Sequence, residues 1–196
     1  VNDMGYSLIG MAAVVAAGES HGLIMKAAQA GLGGAVFQMF NHGTISAMLF
    51  ILVGVIYERA HHRDIEGFGG LASQMPIYTG ITAVAFFAGL GLPGLSGFIS
   101  EAMCFIGGFG SFRLLTMIGT LGILLNAIYF LRAYQRIFLG PFNEKYSDLK
   151  DMSFRDMAVI IPLAFLTLLF EAFIMASSIA EGIISKPNTF LAFLDR

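Results

Sequence analysis

Long apolar stretches alternate with short polar joints along the whole of this sequence. Five of these stretches approach or exceed the roughly 20 mainly apolar residues that a helix needs to cross about 30 Å of hydrocarbon. The second stretch, residues 33–57, contains no Asp, Glu, Lys or Arg. The pattern therefore predicts an all-α, polytopic membrane bundle of about five spanning helices, at 1–17, 33–57, 75–110, 112–138 and 157–184.

The third stretch carries a sequence that interrupts a helix. Gly91, Pro93, Gly94 and Gly97 fall close together in a region that has no charged residue from 67 to 100. Proline removes a backbone donor and clashes with the preceding turn, and glycine weakens a helix further. We expect a discontinuous third helix with unpaired backbone groups that face protein or a hydrated cavity, as in the ion sites of transporters. The alternative is a plain kink in a packed helix.

Glu101 follows this break by four residues and has apolar neighbours on both sides in sequence. A charged side chain at the centre of a bilayer costs roughly 2.5–3.5 kcal/mol on insertion scales, and burial favours its protonated form. A carboxyl group that gains and loses a proton at membrane depth is suited to proton transfer. The alternative is a structural glutamate that snorkels at the end of a half-helix or pairs with a base.

Three further titratable residues lie within or at the start of predicted spans. His42 can relay protons because imidazole titrates near neutral pH, and an equally weighted alternative is a hydrogen bond that serves packing. Asp3 is either a carboxylate at a helix start or an intramembrane acid. Glu171 lies in the middle of the last span, and the sequence assigns it no role.

Basic residues are distributed unevenly between the two sides that five spans would create. One side receives seven of them and the other receives four. Cytoplasmic loops carry an excess of Lys and Arg, so we expect the joints at 59–71 and 139–156 to be cytoplasmic. The seven are Arg59, Arg63, Arg132, Arg136, Lys145, Lys150 and Arg155, and the four are Lys26, Arg113, Lys186 and Arg196.

The composition makes lipid part of the solvent and excludes several classes of function. Hydrophobic residues make up 57% and charged residues 12% of the chain, against roughly 25% charged in globular proteins. A net charge of −2 without a basic face argues against nucleic acid, and the single Cys104 excludes an internal disulfide. We also find no phosphate loop, no Cys-x-x-Cys and no nucleophile elbow, so we expect no cofactor or metal in this chain.

We expect the sequence to be a piece of a longer membrane protein. It begins at Val1 without an initiator Met and has no basic, cleavable signal segment at its start.

Several ordered motifs together resemble one known family, the chain M (subunit 4) family of the antiporter-like membrane subunits of NADH:quinone oxidoreductase, respiratory complex I. The most specific is Gly91-Leu-Pro-Gly-Leu-Ser-Gly-Phe-Ile-Ser-Glu101, which is similar to the family's Gly-Leu-Pro-Gly-x-Ser-Gly-Phe-x-x-Glu element. The resemblance extends over nearly the whole chain. It also includes Val1-Asn-Asp-Met-Gly-Tyr6, Asn41-His-Gly43, Val53-Gly-Val-Ile-Tyr-Glu-Arg59, His61-His-Arg-Asp-Ile65, Gly69-Gly-Leu71, Tyr134-Gln-Arg-Ile-Phe138 and Gly140-Pro141.

The resemblance implies that residues 1–196 form the C-terminal part of a proton-translocating membrane domain. Glu101 would then be the glutamate at the exit of a proton path, and His42 the histidine before it. A glutamate at 101, rather than a lysine, favours chain M over the other antiporter-like subunits. Asp3 stands where the family has a histidine, which leaves a simple histidine relay at that point in doubt.

The same resemblance implies partners, cofactors and a location. The partners would be the chain's own N-terminal helices, the other membrane subunits of complex I and the lipid bilayer, in a bacterial plasma (inner) membrane. FMN, iron–sulfur clusters and quinone would be bound by partner subunits. Three alternatives stay open: a subunit of a multi-subunit cation/proton antiporter, a subunit of a membrane-bound hydrogenase, and a passive scaffold whose buried polar groups only set helix packing.

Overall fold

The computed structural model describes residues 2–18 and 22–185, and within these ranges the regular structure is helical. Short 3-10 turns lie at Ile65–Gly67 and Glu144–Tyr146. The α-helices are α1 (Asn2–Ala17), α2 (Leu23–Ala60), α3 (Leu71–Gln74), α4 (Pro76–Gly89), α5 (Gly97–Ser111), α6 (Arg113–Phe138) and α7 (Phe154–Ser185). The side chains of Asp3 and Glu171 lie outside the described part of the chain.

The all-α fold class is confirmed, including the discontinuity of the third apolar stretch. This stretch forms α4 and α5, which are separated by the irregular segment 90–96. By length and apolar composition, Ile24–Ala60 and Arg113–Phe138 are each able to cross a membrane, and shorter apolar helices cover Met4–Ala17 and Pro76–Gly89.

Helix α2 is longer than the sequence pattern suggested. It begins ten residues before the predicted start at residue 33, because the segment around Lys26 is rich in good helix formers such as alanine and leucine. Its 38 residues extend over about 57 Å, which exceeds the thickness of a bilayer core. The helix must therefore tilt or project beyond the hydrocarbon.

Helices α1, α2 and α5 form the most closely packed part of the bundle, and glycines line their contacts. A Cβ added to Gly107 of α5 would lie 2.5 Å from the Cα of Gly31 in α2. A Cβ added to Gly34 would lie 2.6 Å from the Cβ of Met103. Membrane helices associate through close backbone approach rather than a hydrophobic driving force, so these glycines allow the contact.

The two predicted cytoplasmic joints are bonded to each other and therefore lie at the same end of the bundle. Gln74, three residues after the first joint, donates to the carbonyl oxygens of Ser147 (2.6 Å) and Leu149 (3.1 Å). The side chain of Asn143 donates to the carbonyl of Gly67 at 2.9 Å. The side of the membrane on which they lie stays a prediction.

Asp151, in the second joint, supplies the cap of a distant helix. Its carboxylate accepts hydrogen bonds from the backbone N–H groups of Ile77 (2.8 Å) and Tyr78 (3.0 Å) in the first turn of α4. The residue before α4, Met75, contributes no side-chain cap. The exposed donors at a helix start need such a partner, so the joint orients the half-helix that leads to the break.

Arg59, at the end of α2, is held by the second joint and by the start of α7. Its guanidinium donates to the carbonyl of Lys150 (2.9 Å) and forms an ion pair with Asp156 (2.7 Å). Asp156 precedes the apolar part of α7. Burial raises the pKa of its carboxyl group, but hydrogen bonds from Ser153 and Arg59 outweigh this and hold the pKa at about 2.

Replacement of Asp156 by Asn should lower the free energy of unfolding by about 2.5 kcal/mol at neutral pH, because a pKa lowered from 3.8 to about 2 corresponds to that free energy. Because the folded-state pKa lies below the unfolded one, this stabilisation is present above about pH 4 and is lost as the pH falls toward 2. Denaturation of the full-length protein in mixed micelles at several pH values measures it. Asp148→Asn, at an exposed position of the same joint, is the control. Equal effects of both substitutions at pH 7 would contradict the expectation.

Candidate functional site

The chain turns sharply between α4 and α5, and two glycines provide the turn. Gly91 has φ +69° and Gly94 has φ +94°, in the region that disfavours other residues. The N–H groups of Gly91 and Leu92 bond to the carbonyls of Ala88 (3.1 Å) and Phe87 (3.2 Å). The expectation of unpaired N–H groups is therefore wrong at these two positions, since the turn folds back onto the end of α4.

The first residue of α5 packs directly against the end of α4. A Cβ added to Gly97 would lie 2.6 Å from the carbonyl oxygen of Ala88 and 3.4 Å from the Cα of Gly91. Pro93 lies on the exposed side of the turn, while Ser96 and Gly97 are buried. The four residues predicted to interrupt the helix, Gly91, Pro93, Gly94 and Gly97, thus lie in or directly beside one compact turn.

Glu101 places its carboxylate at this turn. The residue lies in the second turn of α5 and is only 5% exposed. Its Oε2 atom would be 2.7 Å from a Cβ on Gly91, so the side chain reaches back toward the helix start. The positive end of the α5 dipole favours an anion here, while burial favours the neutral acid, so the two effects oppose each other.

A cluster of buried amides and hydroxyls joins α2 to the start of α5 beside Glu101. Asn41, 1% exposed, donates from Nδ2 to the carbonyl of Ser96 (2.5 Å) and to the hydroxyl of Ser100 (3.1 Å). The hydroxyl of Ser100 lies against Oε1 of Gln38 and 3.0 Å from the carbonyl of Gly97. Gln38 is 2% exposed. This cluster fixes the start of α5, the helix that carries Glu101, against α2.

Asn126 of α6 holds the other side of the break. Its Nδ2 atom donates to the carbonyl of Gly89, the last residue of α4, at 2.8 Å. Within the described part of the chain, its buried Oδ1 atom has no hydrogen-bond partner. Amides from α2 and α6 therefore bind the start of α5 and the end of α4, and together they fix the geometry of the interruption.

His42 lies next to Asn41 in sequence but on a different face of α2. Its Nε2 atom is 3.3 Å from the hydroxyl of Ser46, one turn further along the same helix, and the ring is half-buried. The residue that bonds to Ser96 and Ser100 is Asn41.

Glu101 and the break residues were candidates from the sequence, but the uncharged members of the site were missed. Gln38, Asn41, Ser100 and Asn126 are neutral, so they do not stand out as titratable residues. The available signal was their polarity inside otherwise apolar stretches, since buried amides need partners. The three-residue spacing of Gln38 and Asn41 also places both on one helix face.

In the described ranges, no group of three or more His, Cys, Asp or Glu side chains is arranged to hold a metal ion.

Gly91→Ala should impair proton transfer more than Gly94→Ala does. Both substitutions place a side chain at positive φ, at a cost of roughly 1–2 kcal/mol. Only the Cβ at Gly91 would overlap the carboxylate of Glu101, and because that group ends a flexible side chain, it would move aside. Proton translocation by the assembled full-length protein, relative to the amount assembled, measures the difference. The same loss for both variants would show that only backbone strain matters.

The site occurs in a chain with recognisable relatives. Residues 1–126 match the transmembrane family described as NADH:quinone oxidoreductase/Mrp antiporter. The chain is 42% identical over 147 residues to NADH-quinone oxidoreductase subunit M of Rhodobacter capsulatus, a match that covers 74% of this chain and 29% of that protein. It is 36% identical over 170 residues to F(420)H(2) dehydrogenase subunit M of Methanosarcina mazei, with 87% and 32% covered.

Solved structures agree with these relatives. A chain of respiratory complex I from Thermus thermophilus matches with a TM-score of 0.62 at 26% identity, covering 87% of this chain and 40% of that one. A chain of the archaeal membrane-bound sulfane sulfur reductase has the same fold, with a TM-score of 0.69 at 21% identity, covering 86% and 31%.

The chain spans only about three-tenths of the length of the curated relatives that it matches. The family match nevertheless covers well over half of this chain and includes the break and Glu101. The chain therefore belongs to the transmembrane family of NADH:quinone oxidoreductase and Mrp antiporter subunits.

Proposed function

We propose that this chain is the C-terminal part of a membrane subunit of proton-pumping NADH:quinone oxidoreductase. It would carry protons across the membrane while other subunits transfer electrons from NADH to quinone. The observation that carries this proposal is the buried carboxylate of Glu101 at the break between α4 and α5. The names of the relatives supply the reaction.

Glu101 is the proposed proton-exchanging group. The helix dipole and burial act on its carboxyl group in opposite directions. A charge change on other helices of the membrane domain would change its protonation. Gln38, Asn41 and Ser100 act as positioning residues, because they fix the start of α5 relative to α2.

His42 is proposed as a proton relay before Glu101. Asp3 on α1 is proposed as a further proton-transferring acid, and its side chain lies outside the described part of the chain. Replacement of His42 by Ala should lower the number of protons translocated per electron while leaving assembly intact, because the titrating ring is lost. Proton uptake by the complex in vesicles, normalised to assembled protein, measures this ratio. Poor assembly with a normal ratio in the residual complex would assign His42 to packing, through its contact with Ser46.

The redox groups belong to other subunits in this proposal. FMN, iron–sulfur clusters and quinone would be bound by partners, and this chain would act as part of the translocase. The neighbouring membrane subunits and the chain's own N-terminal helices would cover the exposed apolar face of α6 in a bacterial plasma (inner) membrane. That face includes Leu114, Leu115, Ile118, Leu121 and Leu125.

Two alternative functions each have a specific observation in their favour. The M. mazei relative is named for F(420)H(2) rather than NADH, which favours the same membrane unit with another electron donor. The family description also includes Mrp antiporters, which favours a multi-subunit cation/proton antiporter.

Purification of the full-length protein through an affinity tag, under mild conditions that keep its assembly intact, distinguishes these candidates. The proposal expects flavin-containing and iron–sulfur-containing proteins in the same particle, with NADH-dependent quinone reduction. The same particle with F420H₂ oxidation and no NADH oxidation would support the first alternative. A particle of membrane subunits without redox groups, which exchanges cations for protons, would replace the proposal by an antiporter.

A further inference from the structure

An apolar groove lies between α2, α4 and α6, away from Glu101 and the break. Its volume is about 340 Å³, and its walls include Leu52, Ile56, Phe86, Phe130 and Ile137. Lining residues extend over 49–56 of α2 and 129–138 of α6, or roughly 10–14 Å along the helix axes. This is close to half of a bilayer core of about 30 Å, so the groove has nearly the depth of one leaflet.

The groove opens on the outside of the described bundle. Val53 and Tyr129, at its edges, are 44% and 51% exposed. Tyr129 and Thr82 are among the few polar residues that line the groove. An elongated apolar group therefore fits this space better than a polar one.

Arginines surround the end of the groove that faces the two polar joints. Arg63 lines the groove itself, and its guanidinium lies 4.6 Å from the centre of the Tyr57 ring. Phe68, another lining residue, also borders an adjoining cleft that contains Arg132 and Arg136. The apolar groove and the basic cleft are therefore neighbours that share a wall.

The acidic residues at this end do not neutralise the arginines. Glu66 forms a long pair with Arg136 (3.4 Å), but their side chains are 86% and 47% exposed. Exposed pairs of this kind contribute little free energy and are easily exchanged. Among the residues that line the basic cleft and the polar cleft beside it, Arg63, Arg132, Arg136 and Lys145 outnumber the acids Asp64 and Glu66.

We propose that the groove binds one acyl chain of an anionic phospholipid whose phosphate group is held by Arg63 and Arg136. Arginine matches the geometry of a phosphate because its planar group donates two hydrogen bonds in parallel. Basic residues near a membrane surface also attract anionic lipids, and the uneven distribution of Lys and Arg predicts that these joints face the anionic cytoplasmic leaflet. The site is independent of the electron donor in the proposed function.

The test uses the full-length protein in its native assembly, exchanged into micelles that contain phosphatidylglycerol or phosphatidylcholine with identical acyl chains. Mass spectrometry counts the lipid retained per assembly. We expect preferential retention of phosphatidylglycerol, and about a 25-fold weaker affinity in the double variant Arg63→Ala/Arg136→Ala, from about fivefold for each arginine. Arg113→Ala removes one positive charge from the opposite end of α6 and should leave retention unchanged.

A second variant tests the apolar part without a change of charge. Ala133→Phe fills the groove from α6 and should reduce retention of both lipids. A photo-crosslinking residue in place of Tyr129 should form an adduct with phosphatidylglycerol. Equal retention of the two lipids by the unaltered protein, unchanged retention in the double-arginine variant, or a crosslink from position 129 to a protein would each overturn the proposal.

Discussion

Replacement of Glu101 by Gln should reduce proton translocation at least tenfold while the complex still assembles. The amide retains the shape and most of the hydrogen-bonding ability of the carboxyl group, but it has no proton to exchange at neutral pH. A positioned proton-transfer group typically contributes 10²–10⁴-fold to a rate. Proton uptake by vesicles that contain the complex, measured together with NADH-dependent quinone reduction, gives the rate and the ratio of protons to electrons.

Electron entry should be unaffected by this substitution, because the redox groups are proposed to lie in other subunits. NADH oxidation with an artificial electron acceptor is therefore an internal control. Glu144→Gln makes the same chemical change at an exposed position in the second joint and should leave pumping unaltered. Glu101→Lys should retain part of the activity, since a buried lysine can also exchange a proton. Pumping by Glu101→Gln at the unaltered rate and ratio would make Glu101 a structural residue.

Replacement of Gly107 by Leu should prevent stable packing of α2 against α5. Even the first side-chain atom at this position would lie 2.5 Å from the Cα and 2.9 Å from the backbone nitrogen of Gly31. These are backbone atoms, which cannot rotate away, so the helices must separate. Overpacking of this kind costs on the order of 3 kcal/mol, and separation also disturbs the bonds of Asn41 to Ser96 and Ser100. Thermal denaturation in detergent and the yield of assembled complex measure the loss.

Gly110 provides a matched control in the same helix. It is exposed, and the nearest atom to an added Cβ is the Cγ2 of Ile24 at 3.9 Å. Gly110→Leu should leave stability unchanged or raise it slightly, because leucine favours a helix more than glycine does. Similar destabilisation by both substitutions would mean that the seam of glycines is not what brings α2 and α5 together.

The helical spans and the interruption were predictable because both depend on local sequence. A membrane helix must satisfy its own backbone groups and present apolar side chains to lipid, so length and hydropathy are enough to find it. Gly91, Pro93 and Gly94 act on their own backbone and need no partner to interrupt the helix. The start of α2 was predicted too late, because Lys26 and the nearby glycines obscured a segment that is otherwise favourable for a helix.

The burial of Glu101 was also an expectation from sequence, since its neighbours are apolar. The direction of its side chain was not, because the approach to Gly91 requires that the turn return α5 to the end of α4. Sequence reasoning named His42 as a candidate relay, with a packing role weighted equally, and the relay stays a prediction. The fold brings the adjacent Asn41 to Ser96 and Ser100, which sequence did not indicate, because neighbouring residues on a helix face different directions.

Local sequence is enough to predict which segments are helical, where one of them breaks and which acid follows the break. The meeting of distant polar groups depends on the tertiary structure. Asp151 caps α4 from a joint more than seventy residues away, and Asn126 reaches the carbonyl of Gly89 from another helix. The physical reason is that helix formation satisfies backbone groups within a few residues, whereas a capping or clamping bond depends on where the chain returns. That return is set by the packing of whole helices, including the close approach at Gly31 and Gly107.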